Sequence, residues 1–224
     1  AKPSTTAVIS SNLPADATVP ALAFDPTNPA TFNQSATFTV YDSLGSSHQA
    51  TAYYVKTGNN TWNVNLYVDG NNAGTQALTF DSSGALTTPA NGIVTFNPVN
   101  YGNGANAQTL SINYSKTTQY GTGYAAGTIS QDGYTAGALS SIDIDNSGIV
   151  TANYSNGQSS KIGQLAMANF QNLQGLRQLG SASWMASTDS GTAVMGTAGS
   201  GQYGDIQSGA LEQSNTSDTT AQLV

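Results

Sequence analysis

The chain has 224 residues, a formal net charge of −7 and no cysteine, and only 8% of its residues are charged, against about 25% in an average soluble protein. The absence of cysteine excludes disulfides and thiolate metal sites, and the scarcity of lysine and arginine argues against a nucleic-acid partner. Apolar runs are far shorter than the roughly 18–20 residues of a membrane span, and no Sec-type signal opens the chain.

The length suits one large all-β domain or two small domains, and we favour two. The chain does not begin with methionine, and its last residues fall at the start of a predicted helix. We therefore expect the natural ends of the protein to lie outside this sequence.

The first 35 residues are rich in proline, which disfavours helices and central strands alike. The prolines are Pro3, Pro14, Pro20, Pro26 and Pro29. We predict an extended arm over residues 1–35.

From residue 36 to residue 114, apolar and polar residues alternate with a period of two, which is typical of half-buried strands. Trp62 falls on the apolar phase of one such strand, so we expect it in the core. The pairs Asp69-Gly70, Asn91-Gly92 and Asn103-Gly104 suit tight hairpin turns because their second residues accept a positive φ. The first half is therefore predicted to be all-β.

Residues 115–131 lose the alternation and gather Gly, Thr and Tyr, a composition typical of a linker. We place a domain boundary near residue 131. Tyr120, Tyr124 and Tyr134 in this region are candidates for a contact surface, since exposed aromatic side chains are frequent at interfaces.

Beyond the boundary, residues 142–154 predict a hairpin with its turn at 146–148. Residues 162–170 suit either a strand buried on both faces or a short helix, and we favour the strand. A helix is predicted to begin within residues 210–224, with Ser214 and Ser217 as possible N-caps. The strings LTFDSSGALT (78–87) and IDIDNSGIVT (142–151) resemble each other, which the shared physics of a hairpin explains.

Catalytic and metal-binding constellations are weak. His48 is the only histidine and lies in a predicted turn, and no G-x-S-x-G motif accompanies it, so a Ser-His-Asp triad is disfavoured. Residues 143–148 match the first half of a calcium loop, but the twelfth position is Tyr154 instead of a carboxylate, and an Asp-rich turn is the commoner origin. The glycine-rich residues 196–204 lack the spacing of a phosphate loop. We expect no enzyme, no cofactor and no metal.

Several longer strings carry a family resemblance. They are TFTVYDSLGSSH (37–48), DGYTAGALSSIDIDNSGIVTANYSNGQ (132–158), IGQLAMANFQNLQGL (162–176) and SGTAVMGTAGSGQYGDIQSGALEQSN (190–215). In order and spacing they resemble the bacterial flagellar hook proteins. Axial proteins of the distal rod share the last two kinds of string, but the region at 37–114 favours the hook.

The resemblance implies an all-β fold of two domains, with a possible short helix at the C-terminus. Residues 1–131 would form an outer β-barrel or sandwich, residues 132–208 the C-terminal half of a middle β-domain, and residues 209–224 the lead-in to a C-terminal helix. The terminal helices that drive assembly would be missing, so we expect this piece alone to be monomeric.

The implied function is a structural subunit that polymerises into a flexible curved tube outside the cell and passes motor torque to the filament after type III export. The implied partners are other copies of the chain and the proteins of the distal rod, the hook cap and the hook–filament junction. Candidate subunit-contact residues lie in the tyrosine-rich segment and in the last two strings: Tyr120, Tyr124, Asn169, Phe170, Asn172, Leu176, Leu211, Glu212, Ser214 and Asn215. The alternative function is a surface adhesin or carbohydrate-binding module.

Overall fold

A computed structural model describes residues 1–180 and 183–210 of the chain. Over these residues the fold is nearly all β, and the only helical elements described are two 3-10 turns, Pro29–Thr31 and Leu173–Gly175. The predicted all-β class is confirmed. The chain forms two compact units: the first is Ala1–Ala136, and the second starts at Gly137 and is described as far as residue 210. Their assignment to outer and middle domains stays a prediction.

The first unit contains nine strands that form two sheets. In chain order they are β1 (Thr6–Asn12), β2 (Gln34–Tyr41), β3 (Ser47–Gly58), β4 (Thr61–Val68), β5 (Asn71–Phe80), β6 (Leu86–Thr88), β7 (Ile93–Thr95), β8 (Ser111–Asn113) and β9 (Ala125–Gln131). The larger sheet is an antiparallel meander of β2, β3, β4, β5 and β6 in that order. The smaller sheet has the order β7-β8-β1-β9, in which β1 is parallel to β8 and antiparallel to β9.

Two of the predicted turns take different roles. Asp69 and Gly70 have φ of 47° and 78° and join β4 to β5 as a tight hairpin, as predicted. Gly92 also has a positive φ, 72°, but it connects β6 to β7, which belong to different sheets. Gly104, with φ of 88°, lies in the loop between the bridged residues Val99 and Gln108.

The extended arm predicted for residues 1–35 is wrong for residues 6–12, because β1 is an interior strand of the smaller sheet. The seven residues of β1 lie between Pro3 and Pro14 and contain no proline, so every backbone N–H remains available for pairing. Ala7 and Ile9 point into the core with 0% and 1% of their surface exposed. The proline-rich composition of the whole segment concealed this short strand.

The linker predicted for residues 115–131 is also wrong over its second half, where β9 pairs with β1. β9 is an edge strand with mostly exposed side chains, so its pairing needs no apolar alternation. Gly127 permits a close approach to β1, since a Cβ atom there would lie 2.0 Å from the carbonyl oxygen of Ser10. The glycine that suggested a linker is therefore part of the strand pairing.

One apolar core lies between the two sheets of the first unit. Side chains of β3 and β4 that point inward supply much of this core, including Tyr54 and Trp62, which are both 0% exposed. The predicted core position of Trp62 is confirmed, and its Nε1 donates a 2.7 Å hydrogen bond to Oε1 of Gln119. The Tyr54 hydroxyl donates to the hydroxyl of Tyr114 at 3.3 Å, so these two buried phenol groups satisfy each other.

The second unit contains small antiparallel sheets. Its strands are β10 (Leu139–Ile144), β11 (Ile149–Tyr154), β12 (Ser159–Gln164), β13 (Ala166–Asn169), β14 (Arg177–Gly180), β15 (Ser183–Met185) and β16 (Val194–Thr197). β10, β11 and β12 form one sheet, β13 pairs with β16, and β14 pairs with β15. Among the described residues, no helix is long and apolar enough to cross a membrane.

The predicted hairpin over residues 142–154 is confirmed by the pairing of β10 with β11. The strand favoured for residues 162–170 is confirmed as the end of β12 and the whole of β13, with a break at Leu165. Their side chains are exposed or half-buried instead of buried on both faces. The helix predicted within residues 210–224 falls almost entirely outside the described residues.

Candidate assembly surfaces

The outward face of the larger sheet carries threonine hydroxyls that pair across strands. The hydroxyls of Thr37 and Thr51 lie 3.1 Å apart, and those of Thr79 and Thr87 lie 3.2 Å apart. These hydroxyl pairs make the outward face polar, whereas the inward face is apolar.

One end of this outward face carries an aromatic cluster. Phe24, Phe32, Tyr53 and Tyr67 are half-buried, and the ring centroids in contact lie 4.9–6.4 Å apart. Tyr53 and Tyr67 also border an open cleft of about 320 Å³ whose other lining residues are Pro26, Thr27, Gln49, Thr51, Asp69 and Gly70. Through Phe24 and Phe32, the segment before β2 packs against the sheet, and part of each ring remains accessible.

His48 lies at the start of β3, and its ring is held between two carboxylates. Nδ1 lies 2.6 Å from Oδ2 of Asp69, and Nε2 lies 3.1 Å from Oδ2 of Asp42. Both ring nitrogens are thus occupied by carboxylates, and neither is directed at a serine. His48 therefore connects the turn at Asp42 to the turn at Asp69, and this geometry does not fit the general base of a catalytic triad.

The carboxylate of Asp42 closes a tight turn that two other aspartates repeat. Oδ1 of Asp42 accepts from the backbone N–H groups of Leu44 and Ser46, each at 2.9 Å. Asp81 and Asp145 accept in the same way from the residues two and four positions later, at 2.8–3.0 Å. The resemblance between residues 78–87 and 142–151 is therefore a shared Asp-turn, as the hairpin interpretation predicted. Among the described residues, no group of three or more His, Cys, Asp or Glu side chains is arranged to hold a metal ion.

The structure places the candidate contact residues of the first unit at its surface. Tyr120 is 51% exposed, and its backbone is fixed by pairing with Ala15. Tyr124 is half-buried and packs against the core. Tyr134 is half-buried, and its backbone pairs with Lys2.

The candidate contact residues of the second unit lie near one another in sequence and around a cleft. Asn169 and Phe170, both half-buried, border an open cleft of about 480 Å³ that is completed by Gln171, Val194, Gln202 and Tyr203. Asn172 caps the 3-10 turn by accepting from the backbone N–H of Gln174 at 3.2 Å, and Leu176 ends that turn. Leu211, Glu212, Ser214 and Asn215 lie outside the described residues. Whether any of these residues contacts another subunit stays a prediction.

A larger surface feature, which the sequence reasoning missed, is the apolar face of the β10-β11-β12 sheet. Ile142 pairs with Ala152, and Ile144 with Val150, so these four side chains share one face. The other face is polar, because Asp143 pairs with Thr151 there. Ile142 is 53% exposed. The alternation of residues 142–154 indicated a two-faced hairpin, but only the structure shows that Ile142 on the apolar face is exposed, whereas Ile144 and Val150 are half-buried and Ala152 is buried.

The two units differ in how far their apolar side chains are buried. The apolar core lies wholly in the first unit, whereas the buried apolar residues described in the second unit are two alanines, Ala152 and Ala198. The second unit exposes many large apolar side chains: Leu139, Ile142, Ile162, Leu165, Leu173, Leu179, Trp184, Met185, Val194 and Met195. Large contiguous patches of exposed apolar surface are common at interaction sites, so these side chains are candidates for one.

Comparison with known proteins places the chain in a family. Residues 12–134, which lie within the first unit, match the family model described as the flagellar basal body protein FlaE D2 domain. The chain is 38% identical to the flagellar hook protein FlgE of Salmonella typhimurium strain LT2 over 234 aligned residues, covering 100% of this chain and 57% of that protein. FlgE of Escherichia coli strain K12 is also 38% identical, with 100% and 56% covered.

A similar fold occurs in a solved structure. The crystal structure of the Helicobacter pylori flagellar hook protein FlgE2 aligns with a TM-score of 0.51 at 21% identity, covering 73% of this chain and 39% of that one. At this identity the likeness concerns the fold. The chain spans a little more than half the length of the two curated relatives named above. It belongs to the flagellar hook protein family and carries that family's FlaE D2 domain.

Proposed function

We propose that the chain is part of a flagellar hook subunit, a structural protein located in the hook outside the cell. Copies of the whole protein polymerise into a short curved tube that passes motor torque to the filament. The observation that carries the proposal is the contrast between the two units of this family member. The first is closed around its own apolar core, whereas the described part of the second buries only two alanines among its apolar residues and leaves many of its large apolar side chains exposed.

The surface of the first unit suits contacts that shift as the hook turns. Large dry apolar interfaces resist sliding, and charged pairs fix a register, whereas polar hydrated contacts are individually weak and easily exchanged. The hydroxyl-lined face of the larger sheet is of the third kind. A cryo-electron microscopy structure of the assembled hook tests this point. A broad dry apolar interface between first units would contradict it.

The second unit is proposed to be half of a domain. Its three-stranded sheet has one apolar face, and burying such a face contributes about 25 cal/mol per Å². The matched relatives are longer than this chain, so their additional sequence supplies segments long enough to cover the sheet. We assign that cover to the same polypeptide, outside the 224 residues, and the tube-forming contacts to helices in those segments.

The test uses the full-length gene in its own motile bacterium, with a deletion strain as background. Replacing Ile142 by Asp places a charge on the apolar face, and replacing the neighbouring Asp143 by Asn alters the polar face by one atom. Hooks are counted by electron microscopy of purified basal bodies. We expect the deletion to remove hooks, wild type and Asp143→Asn to restore them, and Ile142→Asp to restore few or none. Normal hooks from the deletion strain would refute the hook assignment, and normal hooks from Ile142→Asp would refute the half-domain.

A second candidate function, carbohydrate binding, is favoured by the aromatic cluster beside the 320 Å³ cleft. Accessible tyrosine faces beside polar groups and the carboxylate of Asp69 are suited to stacking on sugar rings and bonding to their hydroxyls. A glycan array probed with the intact chain tests this candidate, and the matched variant is Tyr67→Ala. Binding that Tyr67→Ala abolishes would support it, and an array without binding would remove it.

A further inference from the structure

His48, the sole histidine of the chain, joins three separate loops of the first unit. They are the turn at 42–46, the Asp69-Gly70 turn, and the loop of residues 100–107, named here the Tyr101 loop. The His48 side chain is 10% exposed, Asp42 is 0% exposed and Asp69 is 42% exposed. The loops therefore meet around a ring that is almost withdrawn from water.

The hydrogen-bond geometry requires a proton on each ring nitrogen. Nδ1 faces Asp69 at 2.6 Å and Nε2 faces Asp42 at 3.1 Å, and an ionised carboxylate can only accept. A neutral ring would present a lone pair to one of the two carboxylates. The arrangement is complete only when His48 is an imidazolium ion.

The Tyr101 loop depends on the same ring. Tyr101 stacks on His48 with 3.6 Å between ring centroids and 13° between ring planes, which is favourable for a cation over an aromatic face. Asn103 donates to Asp42 at 2.7 Å, and the backbone N–H of Asn106 donates to the hydroxyl of Ser43 at 2.9 Å. A change of charge on His48 therefore acts on the loop directly through Tyr101 and indirectly through Asp42.

We propose that His48 is a pH-sensitive clamp: the protonated ring holds the Tyr101 loop and the Asp69 turn against the Asp42 turn, and the neutral ring releases them. This inference concerns the first unit alone and does not depend on the hook assignment.

The surrounding charges support the direction of the switch. Burial alone lowers the pKa of His48, but hydrogen bonds from the ring to Asp69 and Asp42, with their negative charges, outweigh it and raise the pKa above its ordinary value of about 6.5. Hydrogen bonds hold the pKa values of Asp42 and Asp69 below their ordinary range despite burial. Burial and the two carboxylates raise the pKa of Tyr101 to about 12. Of the groups facing the cluster, only the imidazole changes charge near neutral pH.

The sign of the effect follows from linkage. Because the folded pKa of His48 is raised, its contribution to stability is fully present below about pH 6.5 and is lost as the pH rises through the folded value. The clamp is thus closed below about pH 6.5 and opens as the pH rises through the raised pKa of His48.

Nuclear magnetic resonance of the intact 224-residue chain tests the clamp. With one histidine, the imidazole signals belong to His48 without assignment, and their titration gives its pKa. We expect a midpoint above that of an exposed histidine and, in parallel, a roughly tenfold loss of amide protection in the Tyr101 loop, after correction for intrinsic exchange. A midpoint at or below the ordinary value, or a loop whose protection stays constant through the titration, would overturn the proposal.

Three variants complete the design. Asp69→Asn removes the charge facing Nδ1 at a partly exposed position, so the midpoint should fall. His48→Gln should abolish the pH dependence of the loop. Asp81→Asn, in a turn of the same geometry with no histidine, should leave both readouts unchanged. If His48→Gln does not fold, the Asp69→Asn shift decides alone, and an unshifted midpoint there counts against the clamp.

Discussion

Replacing Trp62 by Phe tests the polar pairing inside the core of the first unit. The indole is 0% exposed, and its Nε1 donates to Oε1 of Gln119, which is itself 5% exposed. Phe keeps a six-membered ring but leaves the Gln119 oxygen without a donor, which costs about 1–3 kcal/mol. The residual cavity adds about 1 kcal/mol. We expect the free energy of unfolding to fall by about 2–4 kcal/mol.

A double-mutant cycle separates the hydrogen bond from the lost volume. Gln119→Met removes the acceptor and leaves the Trp62 N–H unpaired, so it too should cost about 1–3 kcal/mol. The double variant removes both partners and should cost less than the sum, with a coupling of about 1–3 kcal/mol. The assay is urea unfolding of the intact chain, followed by the amide resonances of β4, which report the first unit. If the two single-variant losses add within about 0.5 kcal/mol, the hydrogen bond between Trp62 and Gln119 does not stabilise the core as expected.

Two further predictions concern turns and charge in the first unit. Gly84→Ala should destabilise the chain more than Gly104→Ala in thermal unfolding: both residues have φ above +80°, but a Cβ at Gly84 would lie 2.5 Å from the carbonyl oxygen of Gln119, whereas nothing lies within 4 Å at Gly104. Equal losses of thermal stability in the two variants would show that the structure relieves the clash at residue 84, which would contradict this prediction. For Asp132, hydrogen bonds from Lys2 and from backbone N–H groups outweigh burial and lower its pKa, so its contribution is present above about pH 4 and lost as the pH falls. The stability difference between wild type and Asp132→Asn, measured by urea titration, should therefore shrink below that pH, and a constant difference would contradict this.

Features that depend on local patterns could be predicted from the sequence. The period of two around Trp62 identified the inward face of β4, because side chains of a strand alternate between faces whatever the strand pairs with. Asp69-Gly70 and the turn at 146–148 were predictable because their backbone conformations favour these residue types. The family resemblance rested on strings of this local kind.

Features that depend on long-range pairing could not be predicted. β1 pairs in parallel with β8, about a hundred residues later, and no local pattern encodes that partner. The approach of His48 to Asp69 follows from the register of β3 against β4, in which Ala50 lies opposite Val68. The only available signal was the position of His48 just after an Asp-turn. The exposure of Ile142 likewise could not be predicted, because it depends on which other described segments pack against the sheet.

Immunogold electron microscopy tests the central claim most directly. Antibodies raised against the 224-residue chain are applied to intact flagellated cells of the source bacterium and to cells in which the gene is deleted. Gold should be confined to the short curved segment between the cell envelope and the filament, and the deletion strain should carry none. Label along the filament or spread over the cell body would contradict it.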